Sequence, residues 1–509
     1  MRSVLAMPLL LTAARAGAAV LTVGSGGGFA TIQSALEAAG PGDVVRVAAG
    51  VYGERLSFPS GGDAIAGFLS LEAAPGARPI LDGSGLASGA PAIEIHSQSF
   101  VRVVGFEIRN FRDGYGIFVG GSGTRIELRD NRIHDLRGDD AGGIAVYGTG
   151  FAPITELVID RNEIYDNEPA PSEALVVNGN VRGFAITDNE LRDNDNIGID
   201  MIGGEADINP GTGLVAREGV CRGNRVTRSN SSYGGGFGAG IYVDGGRSIV
   251  IENNVVTESD IGIEVGAENA GAVAMGIIVR NNVLYSNERA GLLFGGYDAS
   301  VGRANANVFR GNTLVLNDTV GASGQGRYFA GGGIGEILVQ YGQDNAVENN
   351  LVVAGPENMA VASAGPGSSI DDRFDYNLWW SPAPASMAFQ LNASDYLGFA
   401  DWQTGGGQDP YGLAADPGLA ATEGSDFHLV ADSPAVDRGN PAFVAAAGER
   451  DIDGASRVAG GRVDIGADEV PEPGKTLAAA AAGLALGALT RRERTGRADW
   501  IRTGNRVNG

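Results

Sequence analysis

Three residues share one frame in successive stretches of the chain. Asp200 stands in Gly198-Ile-Asp-Met, Tyr242 in Gly240-Ile-Tyr-Val and Glu264 in Gly262-Ile-Glu-Val. In the same frame elsewhere stand Phe118, Ala145 and Leu293, so the polar trio interrupts a mostly apolar series. If these frames stack as neighbouring strands, Asp200 and Glu264 lie two strands apart, roughly 9 to 10 Å between backbones. Two carboxyl groups at such a spacing, one an acid and one a base with water between, suit glycoside hydrolysis with inversion. Glu205, Asp244 and Glu268 follow the same frames closely, and Arg217 and Tyr297 are within reach of the same region. Carboxylates packed this closely repel one another. Either a carboxyl then keeps its proton, giving a general acid, or the cluster recruits a cation such as calcium.

Two insertions flank the trio. Gly198 to Gly240 spans 42 residues while holding only one Asn of the repeat series described below, Asn224, and the excess falls in 204–213 and 229–238. Loops on a rigid scaffold commonly carry function. The second includes Tyr233 and Phe237, rings suited to stacking on a sugar. The simpler alternative is that these acids only solvate one face of a very acidic protein.

The elements that would position these residues form a repeat. An Asn precedes an apolar pair at Asn131, Asn162, Asn189, Asn224, Asn254, Asn282, Asn312, Asn350 and Asn377, in steps of 27 to 38 residues. The Gly-Ile-x-Val frames interleave with it, and a third alternating stretch precedes each Asn. Three short strands per repeat of about 30 residues predict a solenoid with three strands per coil. Stacked Asn side chains would hydrogen-bond from coil to coil at one corner, and Gly would permit the tight corners. Phe29, Ile32, Leu36 and Ala39 fall on one face of a short helix that would cap the N-terminal edge.

This N-terminal stretch, with Gly50-Val51-Tyr52 and the coils after it, resembles the pectate-lyase-like right-handed parallel β-helix proteins. The resemblance covers 19–380 and implies an all-β, single-stranded right-handed solenoid. That fold hosts lyases, hydrolases, esterases, epimerases and inert adhesins, so chemistry has to be argued from the site. Many such enzymes remove a proton beside a uronate with a Lys or Arg base while calcium masks the carboxylate. The one lysine here is Lys475, near the C-terminus, so a lysine base is excluded; Arg217 or Tyr242 would have to replace it.

Asp139-Asp140 is a weaker acidic pair, and the Gly-His-Gly and Arg-Ile-Lys motifs of polygalacturonase-type hydrolases are missing. His134 reads as a corner residue. His96 and His428 stand without a cluster, so a His-rich zinc site is not expected. Trp379, Trp380 and Trp402 are expected to cover the last coil.

The 509 residues carry a net charge of −24 and a single cysteine, Cys221. This balance argues against nucleic acid or an anionic membrane surface as partner. Residues 1–18 read as a secretory signal peptide: Arg2, an apolar stretch from Val4 to Leu11, then Ala16-Gly17-Ala18. From Asp416 to Glu469, within a predicted C-terminal cap of 381–470, the chain resembles the choice-of-anchor Q segment. Asp451-Ile-Asp-Gly there reads as turn caps before a calcium loop. Pro471-Glu472-Pro473, the apolar run Leu477 to Leu489 and Arg491, Arg492 and Arg494 resemble a PEP-CTERM sorting signal. That resemblance, over 471–494, implies processing by an exosortase, transient membrane anchoring and a place at the cell surface of a Gram-negative bacterium. The tail 495–509 has no assigned role. The expectation is an exported protein that binds, and as lyase or glycosidase cleaves, a polysaccharide, acidic sugars included. A non-enzymatic display or exopolysaccharide-binding rod is the alternative.

Overall fold

Alternation is the rule along the coils. In Ile117–Gly120, Ile117 and Val119 are buried inside while Phe118 between them faces outward. A computed structural model describes residues 17–471 except 210, 212, 234, 320–333, 356–357 and 422–424. The signal peptide up to residue 16 and the sorting segment and tail from 472 onwards lie outside the described residues. Among the described residues, no helix is long and apolar enough to cross a membrane.

The chain winds as an all-β, right-handed parallel solenoid. Each coil contributes a strand to a first sheet (Val20–Val23 through Arg373–Asp375), then a second (Gly50–Tyr52 through Leu413–Ala414), then a third (Leu56–Ser57 through Ala388–Leu391, onto which Ser394–Leu397 folds back antiparallel). Pairing is parallel from coil to coil, for example Ile126 with Leu157 and Leu157 with Phe184. The inward Ile, Val, Leu and Phe side chains form one continuous core along the axis, and each fully buried one contributes roughly 1.5–3 kcal/mol. The cap is the helix Ile32–Ala38, which buries Ile32, Ala35 and Leu36. Thr31 caps its N-terminus by accepting from the Ser34 amide, and the Glu54 carboxylate accepts from the Ile32 and Gln33 amides.

The Asn series stacks at the corner between the first and second sheets. The Asn131 side-chain amide donates to Asn162, Asn162 to Asn189, Asn189 to Asn224 and Asn224 to Asn254, at 2.9–3.1 Å. The chain of bonds continues through Asn282, Asn312, Asn350 and Asn377, and Asn377 donates to Asp409. The residue before each Asn has positive φ. Glycine fills that place only at Gly223 and Gly311; Asp130, Arg161, Asp188, Asn253, Asn281, Asn349 and Tyr376 fill the others. The tight corner therefore depends less on glycine than expected, because the ladder bonds hold residues in a conformation that costs about 1 kcal/mol or more each.

A second ladder occupies the corner between the second and third sheets. Asn167 donates to Asn194, Asn287 to Asn317 and Asn317 to the buried Glu336, and Ser229 and Ser259 fill the coils between. A fourth short sheet opens in the later coils: Ala272–Met275, Gly302–Asn305, Gly342–Gln343 and Ser369–Ile370. Its corner carries a third ladder, Asn307 to Asn345 to Asp372. These coils thus hold four strands where three were expected.

Coiling also runs past Trp380. Ala388–Leu391 pairs in parallel with Met359–Ser363, and Leu413 pairs with Leu378. Trp379 and Trp402 are fully buried among Phe374 and Phe389 and cover the last coil. The chain then returns along the outer face of the second sheet. Phe427, Leu429, Ala435, Ile465 and Ala467 pack against Val283, Val315, Leu351, Val353 and Leu378. Glu449 accepts from Arg280 and Arg310, each at 2.8 Å, and Arg280 also pairs with Glu252 at 2.6 Å. The C-terminal segment, which resembles choice-of-anchor Q, thus lies along the side of the solenoid.

Candidate active site

The outward column of the third sheet runs Phe118, Ala145, Val176, Asp200, Tyr242, Glu264, Leu293. Asp200, Tyr242 and Glu264 are consecutive in it. Outward does not mean exposed here: Asp200 and Tyr242 are each only 2% exposed, and Glu264 is partly buried. The two insertions cover them, rising from opposite ends of the strands.

One wall follows Ile202. Gly204 makes the turn at φ +103°, where a side chain would meet the Cβ of Ala272 at 2.9 Å. The Glu205 carbonyl accepts from Asn209, and its carboxylate accepts from Asn178 at 2.5 Å. The other wall is 231–238. Asp260 accepts from both ends of it, Ser231 at 2.8 Å and Gly238 at 2.7 Å. Asp195 accepts from the Ser232 amide and hydroxyl. Arg289 lies 4.2 Å over the Phe237 ring and donates to the Gly235 and Gly236 carbonyls.

Between the walls lies a cleft of about 380 Å³. Glu173, Asp200, Glu205, Asp244 and Glu268 line it together with Tyr233, Phe237 and Tyr242. Asp244 ends its strand on the cleft floor, where one carboxylate oxygen accepts from the Glu268 amide at 2.7 Å. Burial, then the neighbouring carboxylates, holds the Asp200 carboxyl well above the ordinary range. Burial and Glu205 push Glu173 up to about 8, and burial and Glu268 do the same for Asp244. Burial, then Glu264, raises the Tyr242 hydroxyl well above its usual value. The floor therefore presents protonated carboxyl groups at neutral pH.

Of the residues singled out in the sequence, the cleft gathers Asp200, Tyr242, Glu205, Asp244, Glu268, Tyr233 and Phe237. Glu264 is the next member of the column, in the coil that supplies Glu268, and does not itself line the cleft. Two residues lie elsewhere. Arg217 re-enters at the first sheet between Arg182 and Arg247 and donates to the Val215 carbonyl, so it faces away from the third sheet. Tyr297 is 55% exposed on the loop after Ala290–Gly295 and does not line the cleft. Glu173 and Asn178 were missed, because their coil reads Ala-Leu-Val-Val without the Gly-Ile signature. The alternation of that stretch, midway between Ile144 and Ile199, was the available signal.

Oxygen donors of this kind suit calcium, but among the described residues no three cleft carboxylates bring oxygens within 4.8 Å of one another. The group that does is His428, Asp453 and Asp468 in the C-terminal segment, so His428 is not without a cluster. Its ring bridges Asp426 and Asp453, and these carboxylates, Asp426 foremost, raise it to about 9 against the opposing effect of burial. Asp451 caps its own turn, accepting from the Asp453 and Ala455 amides. His134 ends a strand, stacked 4.7 Å from Tyr165, and Asp140 accepts from Ser172.

Residues 71–211 match the right-handed β-helix region family. The crystal structure of the pectate lyase Pel9A superposes with a TM-score of 0.50 at 14% identity, over 89% of this chain and 97% of that one, a likeness of fold. The uncharacterized protein YwoF of Bacillus subtilis (strain 168) is 32% identical over 429 residues, 80% of this chain and 88% of that protein. The chain belongs to the same family of right-handed β-helix proteins as YwoF.

Proposed function

We propose that the cleft binds a polysaccharide and hydrolyses it by carboxyl acid–base chemistry. The observation that carries this reading is the convergence of Glu173, Asp200, Asp244 and Tyr242 between two loops, one of which carries Tyr233 and Phe237. A carboxyl that keeps its proton near neutral pH can give it to a glycosidic oxygen as the bond breaks. A neighbouring carboxyl that has lost its proton takes one from the attacking water, which adds to the sugar carbon. Tyr233 and Phe237 offer ring faces that orient the sugar.

Elimination is disfavoured by the same geometry. The described lining holds no lysine or arginine, Arg217 faces away, and the Tyr242 hydroxyl is too reluctant to ionise to serve as a base. The likeness to a pectate lyase extends to the fold and brings no residue with it.

Oligosaccharide panels separate the outcomes. Hydrolysis yields reducing ends without an unsaturated, ultraviolet-absorbing product, and Asp200→Asn or Asp244→Asn abolishes it with folding intact. An unsaturated product would replace hydrolysis with elimination. Carbohydrate binding without turnover, unaffected by both substitutions, would leave a display rod.

We also propose that the chain is exported through its first 18 residues and held at the surface through 471–494. Deleting 471–494 should release the protein into the medium; a full-length chain retained in the cytoplasm would refute this.

A further inference from the structure

The cleft is rich in acceptors and poor in donors. Among its described lining residues there is no arginine, lysine or histidine to set against five carboxyl groups. The nearest arginine seen at its wall, Arg289, is committed to the Gly235 and Gly236 carbonyls and the back of the Phe237 ring. One oxygen of Asp200, a residue 2% exposed, has no hydrogen-bond partner, and neither has the carbonyl oxygen of the buried Asn178 side chain, whose amide holds Glu205. Unpaired buried acceptors are costly unless a ligand supplies the donors.

We propose that the ligand is an amino-sugar polymer with free amino groups, whose ammonium sits among Asp200, Glu173 and Asp244. This rests on the polysaccharide reading above and names its substrate class. An ammonium ion brings three donors and no acceptor, which matches the orphaned oxygens. It brings positive charge to a site that lacks any, and Tyr233 and Phe237 are the kind of surface a cation or sugar face packs on. A uronate brings charge of the wrong sign and would need a metal that no described trio of cleft carboxylates is spaced to hold. A neutral or N-acetylated sugar supplies hydroxyl donors but no cation against which these carboxyl groups can ionise.

The proposal carries a proton signature. Glu173 and Asp244 hold protons up to about pH 8, and the facing groups Asp200, Glu205, Glu268 and Tyr242 are all acids. An entering ammonium favours their ionised forms, so binding releases protons to solvent. Affinity rises with pH from acid conditions until the amine itself loses its proton.

The test is calorimetry with glucosamine oligomers, N-acetylglucosamine oligomers of equal length and oligogalacturonate, the last with calcium and with chelator, in buffers of different ionisation enthalpy. Glucosamine oligomers are expected to bind about tenfold or more tighter than their acetylated counterparts, the effect of one charge-assisted hydrogen bond. Proton release should accompany their binding. Asp200→Asn should erase the preference; Glu173→Gln provides a second variant should the first not fold. Equal binding of both oligomers, with hydrolysis intact, overturns the amino preference while the polysaccharide reading stands. Binding of oligogalacturonate alone, dependent on calcium, overturns it in favour of a metal-bridged acidic glycan. Binding of none of the three overturns this proposal and the reading beneath it.

Discussion

Two regions of this protein concentrate carboxylates, and they treat them in opposite ways. Where the C-terminal segment lies on the solenoid, Glu252 and Glu449 meet Arg280 and Arg310, and Arg457 meets Glu469; all but Arg310 of these side chains are at most 7% exposed. In the cleft, Glu173, Asp200, Glu205, Asp244 and Glu268 meet one another, two loops and no arginine among the described lining. The first arrangement joins two parts of a fold. The second keeps its groups in a state the fold alone does not favour, and such sites are where chemistry is expected. Acidity by itself therefore marks nothing; the presence or absence of a committed cation does.

The sharpest way to break this contrast is to make the seam resemble the cleft. Glu449→Ala leaves Arg280 and Arg310 without their shared partner and should cost about 3–5 kcal/mol. Chemical denaturation would read that loss, and limited proteolysis should show the C-terminal segment cut first. A loss below about 1 kcal/mol would mean the packing of Phe427 and Ile465 holds the segment unaided.

A smaller effect is expected in the ladder, which is neutral and repeated. Asn254→Ala removes the acceptor of the Asn224 amide and side chain and the donor to Asn282 and the Cys221 carbonyl. About 1–3 kcal/mol should be lost, with the transition remaining cooperative in thermal unfolding.

The smallest effect on stability, and the opposite in sign, belongs to the cleft. Its acids bind protons more tightly folded than unfolded, so their contribution is full below the ordinary carboxylate range near pH 4 and is lost as pH rises to about 8. Asp200→Asn should flatten that slope and add on the order of 1 kcal/mol at pH 8 while abolishing turnover. Denaturation midpoints at about pH 5, 6.5 and 8, which span that window, would show it; a variant destabilised at every pH would mean Asp200 serves the fold.

Much of this was legible in the residues and some was not, for physical reasons. The corner at Asn131 through Asn377 was readable because the ladder needs one side chain that both donates and accepts, so the same residue recurs. The second ladder admits Ser229 and Ser259, whose backbone amide and hydroxyl serve in their place, and the pattern blurs. The column of Asp200, Tyr242 and Glu264 was readable because strand alternation fixes which side chains share a face. Its burial was not, since alternation says nothing about what lies above a face. Arg217 went astray because the length of an insertion does not tell on which sheet the chain resumes. Glu173 was hidden because it precedes its strand in a coil without the glycine frame.

The ladders have a direction. Along each, an Asn side-chain amide gives one N–H bond to the side chain of the next coil while also holding a backbone carbonyl of the coil before, and the last Asn meets a carboxylate: Asp409, Glu336 or Asp372. Aligned amide dipoles accumulate partial positive charge at the end their N–H groups face, as they do at the start of a helix. An acid there answers that charge, and, having no amide of its own to pass forward, it leaves nothing for a further coil to receive. Asn carries a ladder on and an acid ends it, but the third sheet runs on past Glu336 to Met359–Ser363 and Ala388–Leu391, so the acid closes one corner's ladder and leaves the rod free to continue.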